Sequence, residues 1–433
     1  MANIYLTNGR VIDGTGAPAV DSGLVIISVE ASGAGTLEYV GEMSAELVAG
    51  ATEADRVVDL SGYSMLPGLF NVHAHLDLKL PYLPYKYDDL GPAYRTLLAY
   101  RRAAEALHCG VTTVRNVGGA DDYDLALKKA VDKNMLWGPR IVTCGSIMIA
   151  HGGHGHNVWG SIECSGPAEF MRAARGQLAK GVDMLKLCYT GGLAGEHEGM
   201  TDKQMTDEEI AAVIEVAHAA GKKVAVHLSS DGPIRDSIRL GVDSVEHAYA
   251  LSEETARMMA ETGTFLVPTL CVSNGEDYLQ AHGCPEHQIR KGREAARTHR
   301  TGIGYAVKHG VKICCGTDLL PSDPINGTNA TVRELELLTE VGMTPLAAIR
   351  AATYTSAELC GLETVTGSLQ AGLEADIIVV RGKPDEHISD LRNLAMVARS
   401  GRLVWSKIPG WEQRTFDVVG PDGDMSGGTF NNW

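Results

Sequence analysis

Leu66-Pro67-Gly68-Leu69-Phe70-Asn71-Val72-His73-Ala74-His75 is an apolar run that ends in two histidines one residue apart. Side chains of a β-strand alternate between its faces, so residues i and i+2 share one face and both imidazoles leave the strand end together. That is the disposition a metal pair needs. Pro67 and Gly68 mark a junction just ahead of the run, so the histidines stand where a new layer of structure begins. An H-x-H at a strand end also occurs as an ordinary solvated pair, and the rest of the chain has to decide.

Upstream, residues 1–64 hold short β-like runs, Ile4 to Leu6, Val11-Ile12, Gly23 to Val29 and Glu38 to Val40, broken by Gly, Asp and Ser. Downstream the texture changes to alternating strand-like and helix-like segments, the pattern of a parallel α/β structure. Eight strand candidates follow one another: Leu69 to His73, Thr112 to Asn116, Arg140 to Cys144, Met184 to Cys188, Lys223 to His227, Ser244 to His247, Thr264 to Pro268 and Val311 to Cys315. Amphipathic helices are expected between them, over Tyr94 to His108, Asp121 to Asp132, Glu169 to Lys180, Asp207 to Ala220, Glu253 to Thr262 and His287 to His309, with two more at Val332 to Val341 and Pro345 to Leu359. Eight βα units fit a (β/α)8 TIM barrel better than an open sheet. From Gly367 the chain returns to short strands, as in Ala375 to Val380 and Met396 to Val404, so the two ends are expected to build one β-domain together. The expected division is 1–64, 65–362 and 363–433, the last including a weakly patterned tail from Gly410.

The chain has 433 residues, of which 44% are hydrophobic and 21% charged, the composition of a globular protein with a large core. A net charge of −16 without a basic cluster speaks against nucleic acid or an anionic membrane, since either needs Lys and Arg gathered on one face. A small-molecule partner is expected instead. Residues 1 to 12 show no basic region followed by an apolar stretch, and no run of about 18 apolar residues occurs, so neither a signal peptide nor a membrane span is expected. Nine cysteines without C-x-x-C spacing, two of them adjacent at Cys314-Cys315, suggest free thiols in a reducing, cytoplasmic compartment. A homo-oligomer is expected.

In a TIM barrel the site lies at the C-terminal strand ends, and here those ends are of one chemical kind. The first strand ends in His73 and His75, the fifth in His227, the sixth in His247 and the eighth runs into Gly-Thr-Asp318, while the fourth contains Lys186. Imidazole and carboxylate suit zinc or a similar divalent ion, without need of thiolates. A lysine between Leu185 and Leu187 is costly if charged and unpaired. It is either a core lysine paired with a glutamate or a lysine carboxylated by CO2, an anion able to bridge two metals.

These stretches, with Val-Glu246-His247-Ala and the closing Gly-Ser-Leu-Gln-Ala-Gly-Leu-Glu-Ala-Asp376, resemble the amidohydrolase superfamily from end to end. Within it the chain is most similar to the prolidase-like group, which also holds Xaa-Pro dipeptidases, ochratoxinase-like amidases and aryl-urea hydrolases. The resemblance implies a barrel with a small β-sandwich from both termini and two divalent metals, zinc by expectation. His73 and His75 would hold the first metal with Asp318, His227 and His247 the second, and carboxylated Lys186 would bridge them. A metal-bound hydroxide would attack a carbonyl, with Asp318 passing the proton to the leaving nitrogen. The implied activity is cleavage of an amide or peptide-like C–N bond in a small molecule, a dipeptide or an N-acyl amino acid. Hydrolysis of a urea, carbamate, lactone or cyclic amide is the alternative, and a non-catalytic scaffold is disfavoured because every ligand is present. Deaminases of the superfamily usually carry H-x-x-E at strand five and lack the strand-four lysine, whereas this chain has His227-Leu-Ser-Ser230 and Lys186. Ser229 also departs from the His or Tyr that related proteins often place there.

After strand three comes Ala150-His151-Gly-Gly-His154-Gly-His156, whose glycines let imidazoles approach a ligand closely. A solvated loop, an extra metal site and a substrate-binding segment compete, and the last is preferred, with His151 as the catalytic group that polarises the carbonyl and His154 as its second. Tyr189, just beyond the lysine strand, is either a substrate hydrogen-bond donor or a core residue. The loop from Asp77 to Tyr94, with Tyr82, Tyr85, Tyr87 and Lys79, is expected to shape the pocket or to pack on its neighbours.

Overall fold

The chain passes from one sheet to another at Gly68. Tyr63–Pro67 pairs antiparallel with Ile377–Arg381, while Leu69–Ala74 pairs parallel with Val111–Asn116. A Cβ at position 68 would lie 2.1 Å from Oγ1 of Thr112, so glycine alone fits this crossing. The computed structural model describes residues 3–78, 91–156 and 160–414; the tyrosines at 82, 85 and 87, Lys79 and most of the C-terminal tail lie outside them.

The interior is parallel α/β structure in two sheets. Leu69–Ala74, Val111–Asn116 and Arg140–Thr143 form one, and Ile162–Cys164, Met148–Ala150, Met184–Cys188, Lys223–Leu228, Ser244–His247 and Phe265–Val267 form the other in that order. Backbone bonds run between them: the Asp183 amide donates to Thr143 O at 2.8 Å, the Val72 amide to Cys315 O at 2.8 Å, and Leu266 bridges Ile313. Seven of the eight expected strands form, with no end shifted by more than one residue. Around Ile313 only that single bridge forms, because the Cys315 amide turns to the Ala351 carbonyl at the end of a helix instead of a strand neighbour. Helices at Gly91–His108, Tyr123–Asp132, Pro167–Lys180, Asp207–Ala219, Glu253–Thr262 and Glu286–His309 pack their apolar stripes against the strands.

Three differences have local causes. Asp231–Leu240 is helical although it begins Asp-Gly-Pro; Pro233 sits in the first turn, where a missing N–H costs nothing. The expected helix from Pro345 to Leu359 is two helices, Pro345–Ala351 and Tyr354–Cys360, broken at Thr353 with φ −135° and ψ −98°. The run from Met396 to Val404 is a hairpin of Leu394–Arg399 and Arg402–Ile408, turned by Ser400 and Gly401 at φ 48° and 73°.

Both termini contribute to one nine-stranded sheet whose strands bury a shared cluster including Leu6, Val25, Met65, Ile377, Met396 and Trp411. Asp376 ties this sheet to the parallel part. It accepts from Arg140 at 2.8 Å, from Thr366 Oγ1 at 2.8 Å and from the Ser400 amide at 2.6 Å, and its carbonyl accepts from Gly68 at 2.9 Å. Among the described residues no helix is long and apolar enough to cross a membrane. All nine cysteines are free.

Candidate metal centre

Strand direction decides which side chains meet. His73 and His75 from the first strand, Lys186, His227 and His247 from three others, and Asp318 from the segment after Ile313 line one cavity. Ile147, Cys188, Leu193, Ala194, Val272, His154 and Tyr249 complete its wall. Nε2 of His73 and Nε2 of His75 each stand 3.4 Å from Oδ1 of Asp318. The His73 and His247 rings are 4.7 Å apart and the His227 and His247 rings 4.5 Å, and one ligand atom each from His73, His247 and Asp318 lies within 4.8 Å of the other two.

Each imidazole is oriented by its second nitrogen, as metal-ligating histidines require. His73 donates from Nδ1 to Oε2 of Glu246 at 2.7 Å, leaving Nε2 for the cavity. His75 donates from Nδ1 to the Gly118 carbonyl at 3.0 Å. Nδ1 of His247 lies 2.8 Å from Oγ1 of Thr269, and Nε2 of His227 lies 3.4 Å from the Gly191 carbonyl. His247, Thr269 and Asp318 all adopt positive φ, at 69°, 54° and 54°. Non-glycine residues persist there, at about 1–3 kcal/mol each, only where the surroundings over-determine them, as at functional sites.

Electrostatics agree with ligation. Burial drives the His227 and His247 imidazoles well below the usual histidine range, helped by His154 and His73 respectively, so both are neutral lone-pair donors. Burial alone would lift the Asp318 carboxyl; the nearby His73 and hydrogen bonds from His73 and His75 overcome it and hold Asp318 well below the usual carboxylate range. Lys186 is 2% exposed, and among the described residues no carboxylate forms an ion pair with it. The glutamate ion pair considered for a core lysine does not form among the described residues. The donor set of four imidazoles, one carboxylate and a buried lysine fits divalent metal ions.

The loop after the third strand divides. His154 is 5% exposed, lines the cavity, stacks on His227 at 4.3 Å and pairs through Nδ1 with Glu198 at 2.7 Å. Burial would lift the Glu198 carboxyl, but His154 and bonds from Gly195 and Gln204 bring it down to about 2. His151 is brought elsewhere: its side chain is 76% exposed and pairs with Glu163 at 2.9 Å, off the cavity wall. Tyr189 is also turned away. It is fully buried, and its hydroxyl donates to Asp207 at 2.6 Å. Ser229 Oγ donates to the Gly191 carbonyl at 2.8 Å.

Sequence reasoning passed over Tyr249 and the Arg115–Glu246 pair. Tyr249 stacks on His247 at 5.3 Å and lines the cavity; its offset of two from a strand-end histidine was the available signal. Arg115 grips both oxygens of Glu246 at 2.8 and 2.9 Å, which in turn holds His73; both side chains are buried. Nothing in the sequence links positions 115 and 246.

Parallel α/β architecture with a histidine and carboxylate cluster near the strand ends fits a metal-assisted hydrolase. Residues 64–404 match the amidohydrolase family, and the chain belongs to it: it is a hydrolase acting on carbon–nitrogen bonds. It is 29% identical over 357 residues to ochratoxinase of Aspergillus niger, covering 75% of this chain and 71% of that one. The solved structure of A. niger ochratoxinase superposes with a TM-score of 0.80 at 25% identity, over 97% of this chain and 99% of that one. A Xaa-Pro dipeptidase with bound methionine in the active site gives a TM-score of 0.81 at 27% identity, over 93% and 99%.

Proposed function

We propose that the chain is a binuclear metal-dependent amidohydrolase that cleaves an amide or peptide-like bond of a dipeptide or an N-acyl amino acid. The observation that carries this is the convergence of all six expected ligand side chains on one cavity. His73, His75 and Asp318 would hold one divalent ion, zinc by donor chemistry, and His227 and His247 a second, with Lys186 as its carbamate between them. A buried lysine with no ion pair to a carboxylate among the described residues supports the carbamate, which replaces a buried positive charge by an anion. When bound, such ions supply Lewis acidity and make a water acidic near neutral pH.

The chain's own groups do the rest. Asp318, ionised and beside His73 and His75, takes a proton from the attacking water and returns it to the leaving nitrogen. His154, whose Nδ1–H donates to the Glu198 carboxylate, would polarise the substrate carbonyl oxygen through a second proton on Nε2, as an imidazolium paired with Glu198, the role that His151 is too exposed to fill. Apolar wall residues exclude water from the reacting centre. The similarity to a dipeptidase and to ochratoxinase supports an amide or peptide-like substrate.

The two parallel sheets are taken to close into one barrel over 65–362, flanked by a β-sandwich from 1–64 and 363–433, with Tyr63–Pro67 straddling the first boundary. The bonds from Asp183 to Thr143 and from Val72 to Cys315 support closure, and the shared core of the terminal strands supports the sandwich. Nine free thiols support a cytoplasmic location. The test is hydrolysis of a dipeptide and N-acyl amino-acid library beside elemental analysis. About two equivalents of divalent metal and turnover of at least one such amide are expected; a metal-replete protein that hydrolyses none of them would sink the substrate assignment.

A further inference from the structure

The loop that follows Met184–Cys188 is fastened from outside by one helix. Lys291, on Glu286–His309, is 4% exposed, and its Nζ donates to the carbonyls of Gly192 at 3.2 Å, Glu198 at 2.6 Å and Gly195. An ammonium has three N–H donors and no acceptor, so three convergent carbonyls use all of them. One turn earlier on the same face, His287 Nε2 and Gln288 Nε2 both reach the Ala194 carbonyl, at 3.1 and 3.2 Å. Four carbonyls between positions 192 and 198 are thus bound by a single helix.

The loop forms part of the site. Leu193 and Ala194 line the cavity with Ile147 and Val272. Glu198 holds His154 through Nδ1, and Gly192 backs onto that imidazole so closely that a Cβ would stand 2.4 Å from it. We propose that Lys291 is a positioning residue, a cationic lock that fixes the loop 192–198, so that Leu193 and Ala194 present a rigid wall to an apolar substrate group and Glu198 keeps His154 aimed at the carbonyl. The recognition half rests on the amidohydrolase reading above; the lock itself does not. A buried cation satisfied only by backbone carbonyls is a costly way to anchor a loop, and its cost is understandable where a wall must not move.

The test uses the full-length, metal-loaded protein. Lys291→Ala, which removes all three bonds, should raise KM at least about tenfold, the worth of a single charge-assisted hydrogen bond, with a smaller change in kcat and unchanged metal content. Ammonium chloride, whose cation fits the vacated carbonyls, should lower KM again, and tetramethylammonium chloride, which has no N–H, should not. Lys291→Arg should resemble Lys291→Ala, because a planar fork cannot meet three carbonyls arranged about one point. The lock is also read without variant or substrate, from hydrogen exchange at the Gly195 amide, which donates to Glu198 at 2.9 Å. Strong protection is expected there; exchange at the rate of an unstructured peptide overturns the lock even in an active enzyme. An unchanged KM in Lys291→Ala, or equal restoration by both salts, overturns it as well.

Discussion

Two histidine pairs in this chain look alike in sequence and behave differently. His73 lies in the strand Leu69–Ala74 and His75 directly follows it, and both point into the cavity, each 3.4 Å from the same carboxylate oxygen. His151 and His154 lie in a glycine-rich loop, and only His154 reaches the cavity, while His151 pairs with Glu163 at the surface. The strand has a period of two that fixes where alternate side chains go. The loop has none: Gly152 at φ 71° and Gly155 at φ 93° redirect the backbone on either side of His154. Chemistry placed on strands is legible from spacing, and chemistry placed on loops requires the folded chain.

The largest expected effect lies on the strand side. Lys186→Ala would remove the proposed bridging anion and leave two cations facing one another, a repulsion that neutral histidines cannot offset. Metal content should fall from about two equivalents to about one, and kcat by roughly a thousandfold or more. Acetate or propionate, filling the vacated space with a carboxylate, should restore part of both. A Lys186→Ala protein that keeps two metals and near-normal kcat without added acid would make the lysine structural and end the binuclear mechanism. Next in size is His154→Asn, expected to lower kcat about a hundredfold with metal content unchanged, the usual cost of one oxyanion donor. Loss of metal in that variant would instead make His154 a ligand.

The same contrast explains how much could be foreseen. The parallel α/β layout, seven strands to within one residue at each end and the meeting of six polar side chains at one cavity were readable because each rests on strand periodicity or on a polar residue in or closing an apolar run. Tyr249 and the Arg115–Glu246 pair were not, since they depend on which strand ends become neighbours in space. Tyr189 sits beyond a strand end as Tyr249 does, yet its hydroxyl turns outward to Asp207. The break at Thr353 and the turn at Ser400-Gly401 are backbone decisions that amphipathic pattern does not register.

A third prediction concerns the joint between the terminal sheet and the parallel core. Arg140 is 8% exposed and binds Asp376, which is 2% exposed. Truncating one partner of such a pair strands the other, so Arg140→Met should cost about 3–5 kcal/mol in stability while the surviving folded fraction keeps its kcat. Burial would raise the Asp376 carboxyl, but Arg140 and Arg399 overcome it and hold it below its ordinary 3.8. Its contribution is therefore complete above that value and is lost as the pH falls through the depressed one. Acid unfolding should accordingly show a shallower loss of stability in Arg140→Met than in the unchanged chain. Equal acid slopes would mean that the pair is not what couples the two parts.

Replacing His151 should change the enzyme least. His151 has the sequence setting of a catalytic histidine, but its imidazole is three-quarters exposed and its partner, Glu163, also serves His156 at 2.7 Å. A solvated pair of this kind contributes about 0–1 kcal/mol, so His151→Asn should leave kcat, KM and metal content within roughly twofold of the unchanged enzyme. His154→Asn, three residues on in the same loop, should not. Steady-state kinetics on both variants with one substrate decide the matter. If His151→Asn loses activity as steeply as His154→Asn, the loop must rearrange when substrate binds and bring His151 inward, and the division between the two histidines would describe the free enzyme alone.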